Sequence, residues 1–158
     1  MNDATMLLVH GLALHHLTPF LDGRPWNDSK RDLLLALRPD DADFARVFLP
    51  SLEPQARTLY AQLWQNPPPL LAKPGQTELR VKVALPEDFA AWNERGQEFP
   101  GGYRKLAPHL QPELPWVAWK LLVPGDRAGL SFDGIVWTNQ RLVWFPQPWR
   151  LVPMGPPT

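Results

Sequence analysis

Apolar side chains in the first part of the chain recur with the period of a helix. Within residues 51–64 they occupy positions 56, 59, 60, 63 and 64, the i, i+3, i+4, i+7, i+8 spacing that gives a helix one buried face. Three shorter apolar segments, 5–17, 28–37 and 44–48, are each followed two residues later by proline, which cannot continue a helix. We therefore predict that residues 1–66 are mainly helical.

Polar residues that cap helices stand at the start of these segments. Their side-chain oxygens can accept hydrogen bonds from the free N–H groups of the first helical turn. The capping candidates are Thr5, Asn27 or Asp28, and Ser51. Asp40, Asp41 and Asp43 precede a further apolar stripe, so we interpret them as helix-capping carboxylates rather than as a cation site.

The period changes to that of a strand near residue 78. From 79 to 85 apolar side chains alternate with Arg, Lys and Ala, the pattern of a strand with one buried face and one wet face. A short helix is predicted to start at Pro86 and to carry Phe89 and Trp92 on one side, with Gly96 as the residue that closes it.

The last third of the chain predicts an antiparallel meander. Three segments resemble strands: residues 116–123, 130–137 and 141–145. The turns between them are short, so neighbouring strands should pair, and Asn139 tolerates the left-handed conformation that a tight turn needs. Asp133 and Gly134 lie inside the middle segment and predict a bulge.

These elements predict an α+β fold. N-terminal helices would pack on one face of a mainly antiparallel sheet of about four strands, formed by residues 78–150. The length of 158 residues fits one domain. We expect residues 67–152 to form the sheet with one or two inserted short helices, and residues 153–158 to be a frayed tail.

Charge and cysteine content exclude several classes of function. The 16 basic and 16 acidic residues balance, which argues against binding to nucleic acid or to an anionic membrane surface. The absence of cysteine excludes disulfides, thiolate metal sites and cysteine nucleophiles. The apolar segment 6–17 contains three histidines and is too short to span a membrane, so we expect a cytoplasmic protein.

Neither a hydrolase motif nor a metal site emerges from the sequence. The segment 7–11 resembles the strand and His-Gly turn of α/β-hydrolases, but 129–133 has Asp133 where a nucleophile elbow needs its second glycine. His10 and His15 would diverge by about 140° around a helix, so they do not form a ligand pair. We expect no metal ion and no cofactor.

Asp133 is a weak candidate for a catalytic acid or base. Its neighbours along the chain are large and apolar, and desolvation would raise its pKa. His109 would be its partner. The alternative is that Asp133 accepts backbone hydrogen bonds at the bulge.

Aromatic content is the compositional outlier, with 8 Trp among 158 residues. Because Trp116 and Trp119 are three residues apart in a strand, they should point to opposite faces, so either both faces are covered or one is a binding surface. Trp149 and Arg150 would fold back on the sheet as a lock or be offered to another chain. The candidate binding residues are Phe99, Tyr103, Trp116, Trp119, Trp137, Trp144, Trp149 and Arg150.

Two segments carry a family resemblance. Residues 132–137 (FDGIVW) and 143–150 (VWFPQPWR) resemble the ending of a small family of stand-alone bacterial proteins of unassigned activity, over roughly residues 40 to 152. That resemblance implies no catalytic residue. The order of helices first and strands last also resembles NTF2-like cones, which implies a pocket between helices and a curved sheet.

We therefore expect a non-enzymatic binding or protein-interaction module, for example an immunity-type protein that neutralises a partner. The alternative is a small-molecule pocket protein of the NTF2-like type, with or without catalytic activity. The expected partner is a protein or a small apolar or aromatic ligand, with neither nucleic acid nor membrane involved, and a homodimer is compatible with the sequence.

Overall fold

The computed structural model describes residues 3–21 and 26–152. The predicted tail at 153–158 lies outside the described residues. In that part of the chain the α-helices are α1 (Asp3–Leu17), α2 (Asp28–Leu35), α3 (Asp41–Val47), α4 (Glu53–Leu63), α5 (Pro86–Ala91) and α6 (Tyr103–Leu106). Short 3-10 turns occupy Thr18–Phe20, Gly96–Glu98, Ala107–His109 and Pro148–Leu151.

Two of the predicted helix caps are formed. The Asn27 side chain accepts a hydrogen bond from the Lys30 N–H at 3.0 Å and so starts α2. Asp40 and Asp43 form a reciprocal capping box at the start of α3, each carboxylate accepting from the other residue's backbone N–H.

Three other predicted helix ends are wrong. Thr5 does not cap α1, because that helix begins at Asp3. Ser51 does not cap α4, which begins at Glu53 with Pro54 in its first turn, because the Ser51 hydroxyl is engaged with the His109 ring. Gly96 does not close α5; Trp92 ends that helix in the left-handed conformation, with φ of 51°. Gly96 serves a different need, since a Cβ there would overlap the Asp88 carbonyl group.

The strands form one antiparallel sheet in sequence order. They are β1 (Glu78–Ala84), β2 (Trp116–Leu122), β3 (Leu130–Trp137) and β4 (Leu142–Trp144). The predicted α+β class, with helices in the N-terminal part and a four-stranded antiparallel sheet, is confirmed.

The predicted bulge and turn are also present. Ala118 pairs with Asp133 while the preceding residue Val117 pairs with Ile135, so Gly134 is the extra residue of β3. Gly134 has φ of 102°, and Asn139 takes the left-handed conformation in the turn before β4, with φ of 70°.

Pairing across the sheet defines two faces with different character. We call the side that carries Val81, Trp119 and Phe132 the apolar face, since these residues are cross-strand neighbours. Helix α1 runs along β1 on this side, and Met6 lies beside Val81. Helix α1 therefore packs where the sequence pattern predicted a buried face, whereas Phe48, which follows α3, packs on Trp116 at the opposite face.

The opposite side, which we call the mixed face, is covered over only part of its area. At one end Tyr103 of α6 packs edge-on against Trp116, with ring centroids 6.1 Å apart. Toward the other end the strands present Arg80, Lys82 and Lys120, which are exposed. The short helices inserted between β1 and β2 thus leave a polar area of the sheet open.

Candidate functional site

Most of the predicted aromatic binding surface lies in the core. Five of its eight members are buried, so they are not available to a partner: Phe99, Tyr103, Trp116, Trp119 and Trp144. Trp116 and Trp119 do point to opposite faces, because the first packs on Tyr103 and the second stacks on Phe132 at 5.4 Å. Both faces of the sheet therefore carry buried aromatic rings, which accounts for much of the high Trp content.

The other three members lie nearer the surface. Trp137 and Trp149 are half-buried, and Arg150 is exposed. Trp149 is folded back onto the molecule, because a Cβ at Gly102 would collide with the Trp149 side chain. Of the two alternatives for residues 149 and 150, the structure shows the one in which Trp149 folds back onto the molecule.

Asp133 is held in a buried polar cluster at the bulge. It is 8% exposed, and its Oδ1 accepts a hydrogen bond of 2.7 Å from the Tyr103 hydroxyl. Its backbone carbonyl accepts from the Trp144 indole N–H at 2.9 Å. Asp133 therefore anchors side chains around the bulge, and the donor to its carboxylate is the Tyr103 hydroxyl rather than a backbone N–H. Its role as a catalytic acid or base stays a prediction.

The environment of Asp133 acts on its pKa in two directions. Burial raises the pKa above its ordinary value, since it penalises the charged form. The hydrogen bond from Tyr103, the nearby Trp149 indole and the positive charge of Arg150 oppose that rise. The Trp149 Nε1 is itself buried without a hydrogen bond of good geometry, so its influence comes from proximity.

His109 is occupied elsewhere. Its Nδ1 lies 2.8 Å from the Ser51 hydroxyl, and its backbone carbonyl accepts from the Leu49 N–H. Among the described residues no hydrogen bond or ion pair joins His109 to Asp133. The structure therefore does not bring the two candidate catalytic residues together in a catalytic pair.

A cavity of about 510 Å³ opens on the mixed face, next to Asp133. We call it the sheet pocket. Its floor comes from two adjacent cross-strand rows: Arg80, Lys120 and Ser131 in one, and Lys82, Ala118 and Asp133 in the other. Glu98 and Pro100, from the segment before α6, contribute to its wall.

The depth of the sheet pocket follows from residue size. Ala118 and Ser131 are small and lie beside long Lys and Arg side chains on the neighbouring strands. Because paired residues on adjacent strands point to the same side, the long side chains surround the small ones. The result is a concave area on an otherwise flat sheet.

Positive charge in the sheet pocket is incompletely neutralised. Lys82 lies 3.9 Å from Glu98, and Arg80 lies 3.9 Å from Glu78, both at the outer limit for an ion pair. Lys120 has no ion pair within the described part of the chain. The lining thus holds three cations and two carboxylates, Glu98 and Asp133. The excess positive charge lies at Lys120, which attracts an anion.

Part of this pocket could be predicted from the sequence. Alternation in 79–85 placed Arg80 and Lys82 on the wet face of β1. What the sequence did not reveal is that Lys120 and Ser131 lie beside Arg80, since that requires the register of three strands. It also gave no indication that α6 would leave this part of the face uncovered.

Residues 3–21 and 26–152 contain neither a metal-binding cluster nor a membrane-spanning helix. No group of three or more His, Asp or Glu side chains there is arranged to hold a metal ion. None of the helices in these residues has the length and apolarity required to cross a bilayer.

Comparisons with protein-family models, with curated proteins and with solved structures found no match to this chain. The resemblances of the C-terminal motifs and of the NTF2-like layout stay expectations.

Proposed function

We propose that this protein is a non-enzymatic binding module and that it takes a small molecule in the sheet pocket. The observation that carries the proposal is the cross-strand pair of Arg80 and Lys120 beside a concave floor. A cavity of about 510 Å³ is in the size range of small-molecule sites. This is the small-molecule alternative expected from the sequence, at a pocket that charged residues line together with Trp119 and Phe132.

The Arg80–Lys120 pair is unfavourable in the free protein. Like charges directly opposite each other on antiparallel strands destabilise the sheet. Lys82 adds a third cation two residues along β1. A bound anion would turn this local repulsion into attraction. Ligand binding therefore explains the Arg80–Lys120 pair, which does not stabilise the fold by itself.

A binding role fits the pocket better than a catalytic one. General acid–base catalysis needs a proton donor or acceptor within reach of the reacting group, usually with a second group that orients it. Asp133 lines the pocket, but its hydrogen-bonding partner Tyr103 is buried, and burial raises the pKa of Tyr103 well above its ordinary value. Tyr103 therefore stays protonated and acts as a fixed donor.

A fragment screen by NMR tests the proposal. Amide ¹H–¹⁵N shifts of the whole protein are recorded with a library of neutral, anionic and cationic compounds. We expect anionic compounds to dominate the hits and to shift the amides of Lys82, Lys120 and Ser131. The double variant Arg80→Gln/Lys120→Gln should lose these hits, whereas Lys73→Gln, in an exposed loop, should keep them. Hits that ignore charge, or none in the pocket, would refute the proposal.

A protein-interaction role, of the immunity type for example, is the second candidate. The observation in its favour is that Leu7 and Leu8 on α1 are 73% and 53% exposed, which is unusual for adjacent leucines. Trp137 and Arg150 are the members of the predicted surface that remain accessible without being folded back. A homodimer would use the same features.

Native mass spectrometry of the protein purified gently from its own host separates the two candidates. A small-mass adduct that disappears in Arg80→Gln/Lys120→Gln supports the pocket. A second polypeptide or a homodimer that disappears in Leu7→Glu supports the interaction role. A cytoplasmic location, without nucleic acid or membrane as partner, is part of the same proposal.

A further inference from the structure

Resting on the proposed function, we infer that the sheet pocket takes a phosphorylated, hydroxyl-bearing small molecule of the sugar phosphate type. The phosphoryl group would bind at Arg80, Lys120 and Ser131, and a ligand hydroxyl would donate to Asp133. The two cross-strand rows on the floor of the pocket supply these two subsites.

The first row has the donors that a phosphoryl group requires. The Arg80 guanidinium offers a planar fork of N–H groups, Lys120 a compact ammonium, and Ser131 a hydroxyl. The three residues are direct cross-strand neighbours and all line the pocket. A tetrahedral group with three free oxygens can accept from all of them at once.

Charge favours a dianion over a single carboxylate. Arg80 and Lys120 bring two positive charges to the first row. In the second row Lys82 lies with the carboxylates of Glu98 and Asp133. The neighbouring carboxylates of Glu78 and Glu98 approach Arg80 and Lys82 only to 3.9 Å. A phosphate monoester with nearly two negative charges balances the two cations of the first row better than a monoanion.

The second row supplies an acceptor at a defined distance. Asp133 is two residues from Ser131 along β3, which corresponds to about 7 Å. Tyr103 uses Oδ1, and a carboxyl group has further acceptor sites for ligand hydroxyls. Ala118 lies between Lys82 and Asp133 and leaves room for a ring or a short polyol.

The size of the pocket argues against a lone inorganic ion. A volume of about 510 Å³ is much larger than a phosphate ion occupies, and it suits a ligand that continues beyond its phosphoryl group. The balanced charge of the whole chain, 16 basic and 16 acidic residues, provides no wider field for a nucleic acid.

Titration with four probes tests the inference. Glucose 6-phosphate, inorganic phosphate, glucose and gluconate are each added to the full-length protein, and binding is followed by calorimetry and by amide shifts. We expect saturable binding of glucose 6-phosphate at the pocket, about tenfold weaker binding of phosphate and of gluconate, and none of glucose; each tenfold step corresponds to about 1.4 kcal/mol.

Variants separate the two subsites. Lys120→Gln should weaken both phosphate and glucose 6-phosphate about tenfold, since it removes one charged donor from the phosphoryl subsite. Asp133→Asn should reduce the preference for glucose 6-phosphate over phosphate and leave phosphate binding unchanged. Lys73→Gln is the matched control, and circular dichroism verifies that each variant is folded.

The outcomes distinguish this inference from the function on which it rests. Equal binding of gluconate and glucose 6-phosphate would overturn the phosphoryl preference and leave an anion pocket. Anionic fragment hits without binding of glucose 6-phosphate would overturn the sugar phosphate class alone. If neither fragments nor glucose 6-phosphate bind at the pocket, both the inference and the proposed function fail.

Discussion

Asp133 combines burial with a strong hydrogen bond. The cost of desolvating a carboxylate falls on its charged form, so burial raises the pKa above 3.8. The native state therefore binds more protons than the unfolded chain in the interval between the ordinary and the raised pKa. Within that interval the free energy of unfolding must fall as pH rises.

Replacing Asp133 by Asn should remove this pH dependence. Asn has nearly the same shape, and its carbonyl oxygen can still accept from Tyr103. We expect the stability of the wild type relative to Asp133→Asn to decline as pH rises from 3.8 through the raised pKa, and then to level. Urea unfolding over a pH series measures it, with the exposed Asp126→Asn as control. A difference that stays constant with pH would contradict the assignment.

Gly134 should tolerate no other residue. Its φ of 102° is costly for any side chain, and a Cβ would overlap the Phe145 carbonyl group. We expect Gly134→Ala to lower the free energy of unfolding by about 2–4 kcal/mol. Gly11 provides the contrast, because it is helical and a Cβ there meets no atom within 4 Å. Gly11→Ala should stabilise by up to about 1 kcal/mol, and equal effects of the two variants would refute this explanation.

At the scale of elements, one arginine ties the β3–β4 turn to two helices. Arg141 donates to the carbonyl groups of Ala36 and Arg38, next to the end of α2, and to the Asp43 carboxylate at 2.6 Å. Asp43 has no exposed side-chain surface, and it also caps α3. Loss of this carboxylate therefore removes a helix cap and leaves Arg141 with Asp40 at 3.9 Å as its charged partner.

Asp43→Ala should accordingly be one of the more damaging polar substitutions. Adding the loss of a cap to the loss of a partly buried ion pair, we expect a cost of about 2–4 kcal/mol. Asp41→Ala removes a surface carboxylate from the same turn and should cost about 0–1 kcal/mol. Thermal and urea unfolding measure both variants, and similar losses would show that Asp43 has no special role.

The elements differ in how far local sequence determines them. The α+β order, the bulge at Gly134 and the turn at Asn139 were predicted, because each depends on neighbouring residues. The start of α4 and the end of α5 were not predicted correctly. They depend on contacts between residues that are not neighbours in the sequence, of Ser51 with His109 and of Gly96 with the Asp88 carbonyl. Short-range rules do not contain such contacts.

The candidate site was predictable only in part for the same reason. Asp133 was a candidate because its neighbours along the chain are apolar. Its hydrogen-bonding partner Tyr103 could not be predicted, because it is 30 residues away in the sequence. The cationic floor depends on the register that sets Lys120 between Arg80 and Ser131. Residue type alone predicted an aromatic surface, and burial assigned most of those rings to the core.

At the scale of the whole molecule, helices and sheet share one core. The ring of Trp144 in β4 packs edge-on against two other rings. Its centroid lies 6.1 Å from that of Trp64, which follows α4, and 5.8 Å from that of Trp119 in β2. No apolar boundary separates a helical part from a sheet part in the described core, since one cluster of buried residues includes both. The single domain stays a prediction; the packing shows one shared core in the described residues.

Unfolding should therefore occur in one cooperative step. We expect transitions followed by far-UV circular dichroism, which reports mainly the helices, to coincide with those followed by Trp fluorescence, which reports the sheet core. Trp144→Phe should shift both transitions to lower denaturant by the same amount. Two separated transitions would show that the helical and sheet parts fold as independent units.

The arginine connection also has a consequence for synthesis on the ribosome. Arg141 and Asp43 are 98 residues apart, so about 5–20 s pass between the translation of one and of the other. During that time Asp43 is without this partner, and the end of α2 lacks the Trp144 N–H that finally donates to the Leu37 carbonyl. The nascent N-terminal helices therefore stay exposed and incompletely packed until the last hairpin emerges. Chaperones would bind them during this stage of translation.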